Sequence, residues 1–191
     1  MCKILVVDNF DSFTYNLVHY VEGVISGKVD VIRNDEVDID SVKRYDGIIL
    51  SPGPGLPSES GQLLPILQRY HATKRIFGVC LGQQAIAQLF GGELENMSRV
   101  MHGVATPVKK TSTNHYLFNG LPNEFLVGRY HSWVVSNRNF PNCLQVDAID
   151  ENEHIMALSH KHLHICAVQF HPESILTPLG KSIIKNWILS F

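Results

Sequence analysis

The sequence lacks the features that mark several classes of protein. No run of apolar residues reaches the ~18 needed to cross a membrane. The apolar start, Met1–Val7, leads straight into Asp8, which predicts a first strand rather than a signal peptide. The 18 acidic and 16 basic residues give a net charge of −2, whereas binding to nucleic acid requires a basic surface. We therefore expect a cytoplasmic protein with no membrane or nucleic-acid partner.

Cysteine is scarce and scattered. The four cysteines form no Cys-x-x-Cys pair and have no zinc-site spacing; they are Cys2, Cys80, Cys143 and Cys166. A chain of 191 residues, 45% of them hydrophobic, can build a core without disulfides. We predict free thiols in a reducing compartment. We also predict one domain over residues 1–191, because no repeat, low-complexity tract or linker divides the chain.

Apolar runs alternate with helical patterns in the first half of the chain. Strands are predicted at Lys3–Val7, Val29–Ile32, Gly47–Leu50 and Arg75–Val79, and helices at Ser12–Ile25, Gly61–Tyr70 and Leu81–Phe90. After Gly92 the pattern changes to shorter strands, and Thr177-Pro178 predicts the start of a last helix. These patterns indicate an α/β fold, with an open, mostly parallel twisted sheet, helices on both faces and added antiparallel strands.

A glycine-flanked cysteine lies between a predicted strand and a predicted helix, in Gly78-Val79-Cys80-Leu81-Gly82. A nucleophile on a sharp strand-to-helix turn needs small neighbours because the backbone there is crowded. The amino end of the following helix favours the reactive thiolate. Cys80 is therefore predicted to be a nucleophile rather than a buried structural cysteine.

A cysteine nucleophile needs a base, and the base needs a group that orients it. His171-Pro172-Glu173 follows a predicted strand, at the end where sites in open α/β sheets lie. Proline disfavours helix at His171. In an extended chain, residues i and i+2 point to the same side, so His171 and Glu173 can lie together. The alternative interpretation is a loop histidine beside a surface glutamate.

The segment Ser51-Pro52-Gly53-Pro54-Gly55 ends another predicted parallel strand. Its glycines allow backbone N–H groups to approach a ligand closely. Acyl transfer by a cysteine needs such donors for the oxyanion. This loop and the N–H of Leu81 are therefore candidates, although the same composition also suits an ordinary turn.

Three alternating histidines, His160, His162 and His164, raise the question of a metal site. Lys161 lies between two strand patterns, however, so a hairpin turn is the preferred interpretation. We predict no metal and no cofactor in this chain.

Several motifs taken together resemble one known family. They are Gly78-Val79-Cys80-Leu81-Gly82, Gln84 and Gln169-Phe170-His171-Pro172-Glu173-Ser174. With them the chain resembles the class I, or triad-type, glutamine amidotransferases. The opening Asp8-Asn9-Phe10-Asp11-Ser12-Phe13-Thr14-Tyr15-Asn16 is similar to that of two subgroups, the glutamine-hydrolysing components of anthranilate synthase and of 4-amino-4-deoxychorismate synthase. The segments Ser51–Gly55, Met101–Gly103 and Arg129–Ser132 support the same subgroups, and the resemblance covers essentially the whole chain.

The resemblance implies a fold, with a flavodoxin-like core, and a set of roles. Cys80 attacks the side-chain amide of glutamine, His171 moves the protons, and Glu173 orients His171. Backbone N–H groups of Gly53 and Leu81 hold the oxyanion. The positions that bind glutamine in the family correspond to Gly53, Pro54, Gly55, Gln84, Ser132 and Trp133.

The resemblance also implies a partner. Water hydrolyses a glutamyl thioester to glutamate, and ammonia passes to a large chorismate-binding synthase subunit, which is expected to need Mg²⁺. The product is anthranilate, for tryptophan, or 4-amino-4-deoxychorismate, for folate. Nothing in the sequence separates these pathways.

Three positions depart from the family pattern. Gln83 replaces the usual histidine after Cys-Leu-Gly, Trp133 replaces the usual leucine after His-Ser, and Val104 replaces a common lysine. The rival interpretations are a cysteine hydrolase of a related fold and a non-enzymatic partner module. The first would often place histidine directly after the nucleophile, where this chain has Leu81. The second predicts a missing triad member, and none is missing.

Overall fold

The computed structural model describes residues 2–25, 27–98, 100–111 and 115–191, and it confirms the predicted α/β fold. A nine-stranded mixed sheet forms its centre, and a separate pair of strands lies beside it. The strands of the sheet are β1 (Lys3–Asp8), β2 (Lys28–Arg33), β3 (Gly47–Leu50), β4 (Arg75–Val79), β6 (Val104–Lys110), β7 (Glu124–Arg129), β9 (Leu144–Ile149), β10 (Ile155–His160) and β11 (Ile165–Val168). The separate pair is β5 (Leu94–Asn96) and β8 (Trp133–Val135).

The strand order divides the large sheet into two halves. The order is β2-β1-β3-β4-β11-β10-β9-β6-β7. The strands from β2 to β11 run parallel to one another. From β11 onward every neighbouring pair is antiparallel. The added antiparallel strands predicted after Gly92 are therefore confirmed.

Helices cover both faces of the parallel half. They are α1 (Thr14–Glu22) and α4 (Gly180–Ile188) on one face, and α2 (Leu63–Tyr70) and α3 (Leu81–Leu89) on the other. Strand β1 contributes side chains to both faces of the sheet. Ile4 and Val6 pack with α1 and α4, while Leu5 and Val7 pack with α2 and α3. The near-continuous apolar run at the start of the sequence therefore reflects a strand buried on both faces.

The parallel strands determine where the candidate site residues lie. Because β1, β3, β4 and β11 run the same way, their carboxyl ends meet at one edge of the sheet. The residues that follow these four strands are Asn9, Ser51, Cys80 and Gln169. The motifs singled out in the sequence thus converge at one edge.

Some element boundaries differ from the predicted ones. Helix α1 begins at Thr14 rather than Ser12, because the Asp11 carboxylate accepts the Phe13 N–H (2.7 Å) in a turn before the helix. The prediction that the last helix starts at Thr177-Pro178 is wrong, since α4 begins at Gly180. No helix among the described residues is long and apolar enough to cross a membrane.

Candidate active site

Cys80 occupies a strained turn between β4 and α3, with φ 52° and ψ −100°. A non-glycine residue in such a region costs on the order of 1–3 kcal/mol, so the surroundings must enforce it. The Cys80 N–H donates to Val168 O (2.8 Å), and the Cys80 carbonyl accepts the Gln84 N–H (3.2 Å). A Cβ on Gly78 would lie 2.6 Å from the Gly82 carbonyl carbon. The two glycines therefore permit the turn, as the sequence predicted.

His171 and Glu173 form a buried pair beside the cysteine. His171 Nδ1 lies 2.7 Å from Glu173 Oε1, and both side chains are at most 2% exposed. Burial by itself would lower the pKa of His171, but interactions with Cys80 and Glu173 outweigh burial and raise that pKa well above its ordinary value. Cys80 is the neighbour that most raises the pKa of the ring, and His171 Nε2 has no hydrogen-bond partner within the described residues. The free ring nitrogen is thus available for proton transfer.

Hydrogen bonds and a close contact fix the backbone of the His171 segment. The His171 N–H donates to Gly128 O (3.0 Å). Thr177 Oγ1 accepts the Gly128 N–H (2.9 Å) and donates to His171 O (2.6 Å). A Cβ on Gly180 would lie 1.7 Å from Pro172 O. Thr177 therefore serves this segment instead of capping α4, which explains the wrong prediction for that helix.

The loop that follows β3 lies directly against the cysteine turn. Asn9 ties it down, because its N–H donates to Ser51 Oγ and its side-chain amide donates to Ser51 O, both at 2.8 Å. A Cβ on Gly53 would lie 2.6 Å from Asn9 Cβ and 2.8 Å from Leu81 Cδ2. Only glycine fits this position, and the close approach brings together Gly53 and Leu81, the two predicted oxyanion donors.

A cavity of about 330 Å³ opens over Cys80. Its lining includes all six residues predicted to bind glutamine, and the full set is Gly53, Pro54, Gly55, Cys80, Gln84, Tyr130, His131, Ser132 and Trp133. A second cavity of about 370 Å³ borders Cys80 and His171 on another side. The cysteine therefore lies where two cavities meet.

Gln84, on the cavity wall, and Gln169, buried behind it, are linked to each other and to the cysteine. Gln84 Nε2 donates to Trp133 O (3.0 Å) and to Gln169 Oε1 (3.3 Å). Gln169 Nε2 in turn lies 3.5 Å from Cys80 Sγ, so its amide can donate to the sulfur. Gln169 lies two positions before His171, but nothing in the sequence marks it as a site residue.

Gln83 turns away from this chemistry. Its side chain is fully buried, and Nε2 donates to Ile155 O (3.2 Å). It lines neither cavity beside Cys80. The departure at this position therefore places a polar group in the core beneath β10, away from Cys80.

His131 lines the cavity over Cys80, although it is not among the predicted site residues. It is 5% exposed. Burial, followed by the nearby charge of Arg129, lowers the pKa of His131 to about 3. The imidazole is therefore neutral at physiological pH. The signal in the sequence is the Arg129–Ser132 motif, which supports the family resemblance but does not by itself mark His131 as part of the site.

The three alternating histidines form a turn, as predicted. Strands β10 and β11 pair antiparallel around it. His160 Nδ1 accepts the N–H groups of His162 (3.1 Å) and Leu163 (3.0 Å). Within the described residues, the grouping with metal-ligand spacing is instead Asp11, His171 and Glu173, at the cysteine site itself.

Comparisons with known proteins agree with this geometry. Residues 5–191 match the family described as glutamine amidotransferase class-I. Anthranilate synthase component 2 of Pseudomonas aeruginosa is 42% identical, over 97% of this chain and 94% of its own length. Aminodeoxychorismate/anthranilate synthase component 2 of Bacillus subtilis is also 42% identical, over 98% of this chain and 96% of its own length.

A solved structure extends the similarity to the fold. A protein from Thermoplasma acidophilum, named for GMP synthase, is 29% identical, with a TM-score of 0.87 over 98% of this chain and 92% of its own. The sequence match from residue 5 to residue 191, the identity to these relatives and the cysteine turn with its buried histidine lead to one conclusion. The chain belongs to the class-I glutamine amidotransferase family.

Proposed function

We propose that the chain is the glutamine-hydrolysing subunit of a chorismate-using synthase. Cys80 Sγ attacks the side-chain amide carbon of L-glutamine while His171 Nε2 takes the thiol proton. Glu173 holds the imidazole and stabilises its charged form. The N–H groups of Gly53 and Leu81 stabilise the oxyanion. The cavity over Cys80 receives the amino-acid end of glutamine.

The second half of the cycle uses the same groups in reverse. His171 returns the proton to the departing nitrogen, so ammonia leaves and a glutamyl thioester remains on Cys80. Water, deprotonated by His171, then attacks the thioester and releases glutamate. This chain uses no cofactor in these steps, and we place the Mg²⁺ requirement in the partner synthase.

The observation that carries the proposal is the position of Cys80. Its strained turn presents it where two cavities meet, beside a histidine whose other nitrogen is 2.7 Å from a buried glutamate. A buried cysteine with a purely structural role would need neither a strained backbone nor a neighbouring histidine–glutamate pair. Cys166 illustrates the contrast: it is fully buried, and burial raises its pKa to about 12.

The partner is proposed to be a large synthase subunit that aminates chorismate. Support comes from relatives named anthranilate synthase component 2 and aminodeoxychorismate/anthranilate synthase component 2. The Bacillus subtilis name covers both products, so 4-amino-4-deoxychorismate stands beside anthranilate as a candidate product. The near-neutral charge supports the absence of a nucleic-acid partner. The free, scattered cysteines support a reducing compartment, for which we propose the cytoplasm.

We expect the synthase subunit to activate the glutaminase. Donors act only when they are aimed at the developing charge, and the Gly53 peptide lies in a loop that a partner can bias. A tenfold activation requires only ~1.4 kcal/mol of differential binding. The measurement is glutamate release by the chain alone, with the synthase, and with synthase plus chorismate, with Cys80→Ala as the blank. Equal turnover in all three mixtures would rule out the coupling and leave the hydrolytic assignment standing.

A further inference from the structure

We propose that Arg129 and His131 are positioning residues that fix the backbone of Trp133, through its carbonyl, in the wall of the glutamine cavity. The inference rests on the proposed function and adds two residues to it. Neither residue is needed for the proton transfers at Cys80. Their effect would be on how the amino-acid end of glutamine is held.

The tautomer of His131 follows from its two partners. Arg129 Nε lies 3.2 Å from His131 Nε2, and a guanidinium can only donate. Nε2 must therefore accept, which leaves the proton on Nδ1. Nδ1 lies 3.0 Å from Trp133 O and donates to it. The two bonds thus hold the ring in one tautomer and one orientation, as a neutral imidazole.

Arg129 is itself held on several sides. It is 1% exposed, and Nη1 lies 2.6 Å from Asp150 Oδ2. The same carboxylate oxygen lies 2.9 Å from His154 Nδ1, and the other oxygen accepts the His154 N–H at 2.9 Å. A buried charge with this bonding is costly to move, because a displaced guanidinium would lose its partner in a low-dielectric interior. Arg129 therefore provides His131 with a rigid donor.

The backbone geometry shows in which direction the C=O and N–H groups of Trp133 point. The Met97 N–H donates to Ser132 O (2.7 Å), so these two residues, one position beyond the β5–β8 ribbon, continue its antiparallel register as a hydrogen-bonded pair. Such pairs alternate with non-bonded pairs, so Trp133, opposite Asn96, turns its N–H and C=O away from β5. On that side, where the cavity lies, the Trp133 carbonyl accepts a hydrogen bond from Gln84 Nε2 (3.0 Å).

Gln84 and His131 hold the Trp133 carbonyl, which belongs to the peptide after this residue. The Trp133 N–H belongs to the peptide before it, whose carbonyl, Ser132 O, accepts the Met97 N–H. The backbone is thus held on both sides of Trp133, and its N–H points away from β5, on the side of the cavity. An N–H donor in a cavity wall suits the α-carboxylate of glutamine. Without the His131 bond only Gln84 would hold the Trp133 carbonyl, so the backbone of Trp133 could shift, and an N–H displaced with it would bind that carboxylate less well. The expected signature is weaker binding of glutamine with an unchanged reactivity of the thiol.

Two substitutions of the same residue separate the two bonds of His131. In His131→Asn the amide nitrogen can take the place of Nδ1 and donate to Trp133 O. In His131→Gln the amide reaches the place of Nε2, keeps an acceptor for Arg129 and loses the bond to Trp133. We expect His131→Gln to raise the KM for L-glutamine roughly tenfold or more, and His131→Asn to raise it less than about threefold. Thiol alkylation by iodoacetamide should change less than about twofold in either variant.

Glutaminase assays on the full chain with its synthase subunit give the KM values, and intact-mass kinetics give the alkylation rates. Wild-type KM in both variants would overturn the inference. Equal rises in both, accompanied by altered alkylation, would show that His131 has a merely structural role. A wild-type chain that reacts with iodoacetamide but never hydrolyses glutamine would instead overturn the proposed function, and this inference with it.

A measurement on the wild-type chain does not depend on the folding of any variant. Long-range ¹H–¹⁵N spectra of the histidines report which ring nitrogen carries the proton. We expect His131 to be the neutral Nδ1–H tautomer and to remain so across the neutral pH range. A protonated ring, or the Nε2–H tautomer, would contradict the bond to Arg129 and overturn the proposal.

Discussion

Replacing Cys80 by alanine is expected to abolish glutamine-dependent synthesis by the complex while leaving its ammonia-dependent reaction intact. Cys80 releases ammonia in the proposed mechanism, and the partner performs the amination. Removing a nucleophile that acts as one unit with its base costs at least about 10⁴-fold in turnover. Ammonia supplied directly bypasses this loss.

The assay compares glutamine with an ammonium salt at raised pH, where more ammonia is unprotonated. Cys143→Ala is a matched control, because Cys143 is a free, partly buried thiol that borders neither of the two cavities that meet at Cys80. We expect both activities of the control to stay near wild type. Equal loss of both activities in Cys80→Ala would assign the residue a structural role or a part in the second chemistry.

The second large effect is expected at His171. Proton transfer by a positioned side chain contributes about 10²–10⁴-fold, on the order of 3–5 kcal/mol of barrier. His171→Ala should therefore lower glutamine turnover by that factor. Gln83→His, which introduces the residue the family usually has, should change turnover less than about tenfold, because the Gln83 side chain bonds to Ile155 O in the core.

Both variants should be compared by glutamate release after circular dichroism has shown an unchanged fold. Imidazole is a useful addition, because a small base that partly restores His171→Ala would support a role in proton transfer. A larger effect from Gln83→His than from His171→Ala would mean that the base has been assigned to the wrong residue.

Much of the parallel half of the fold could be read from the sequence. Segments such as Lys3–Val7 and Arg75–Val79 are apolar along their whole length, and glycine or polar residues follow them. Such runs indicate strands buried on both faces. The β5–β8 ribbon was not predicted, because each strand has three residues and gives too little periodicity to detect. That residues 1–191 form one domain stays a prediction.

The proposed triad could be predicted for a local reason. Glycine at positions 78 and 82 leaves room for the turn at Cys80, and proline at position 172 restricts the backbone at His171. The start of the last helix was missed because Thr177 bonds to Gly128 and His171, and its contact with Gly128 spans 49 positions of the chain. A capping motif in a sequence cannot reveal such a competitor.

Other site residues depend on tertiary contacts that a sequence does not display. Gln169 reaches Cys80 across 89 positions of the chain. His131 gains its neutral state from burial and from Arg129, which in turn depends on Asp150. The sequence around His131 would be equally compatible with an exposed histidine that ionises near neutral pH. Only the folded arrangement distinguishes the two.

The most direct test of the central claim is to trap the covalent intermediate. The complex turning over L-glutamine is quenched in acid, digested and analysed by mass spectrometry for a γ-glutamyl group on each of the four cysteines. The account predicts the group on Cys80 and its absence from Cys2, Cys143 and Cys166. Sustained glutamate release with a γ-glutamyl group on another cysteine, and none on Cys80, would contradict it.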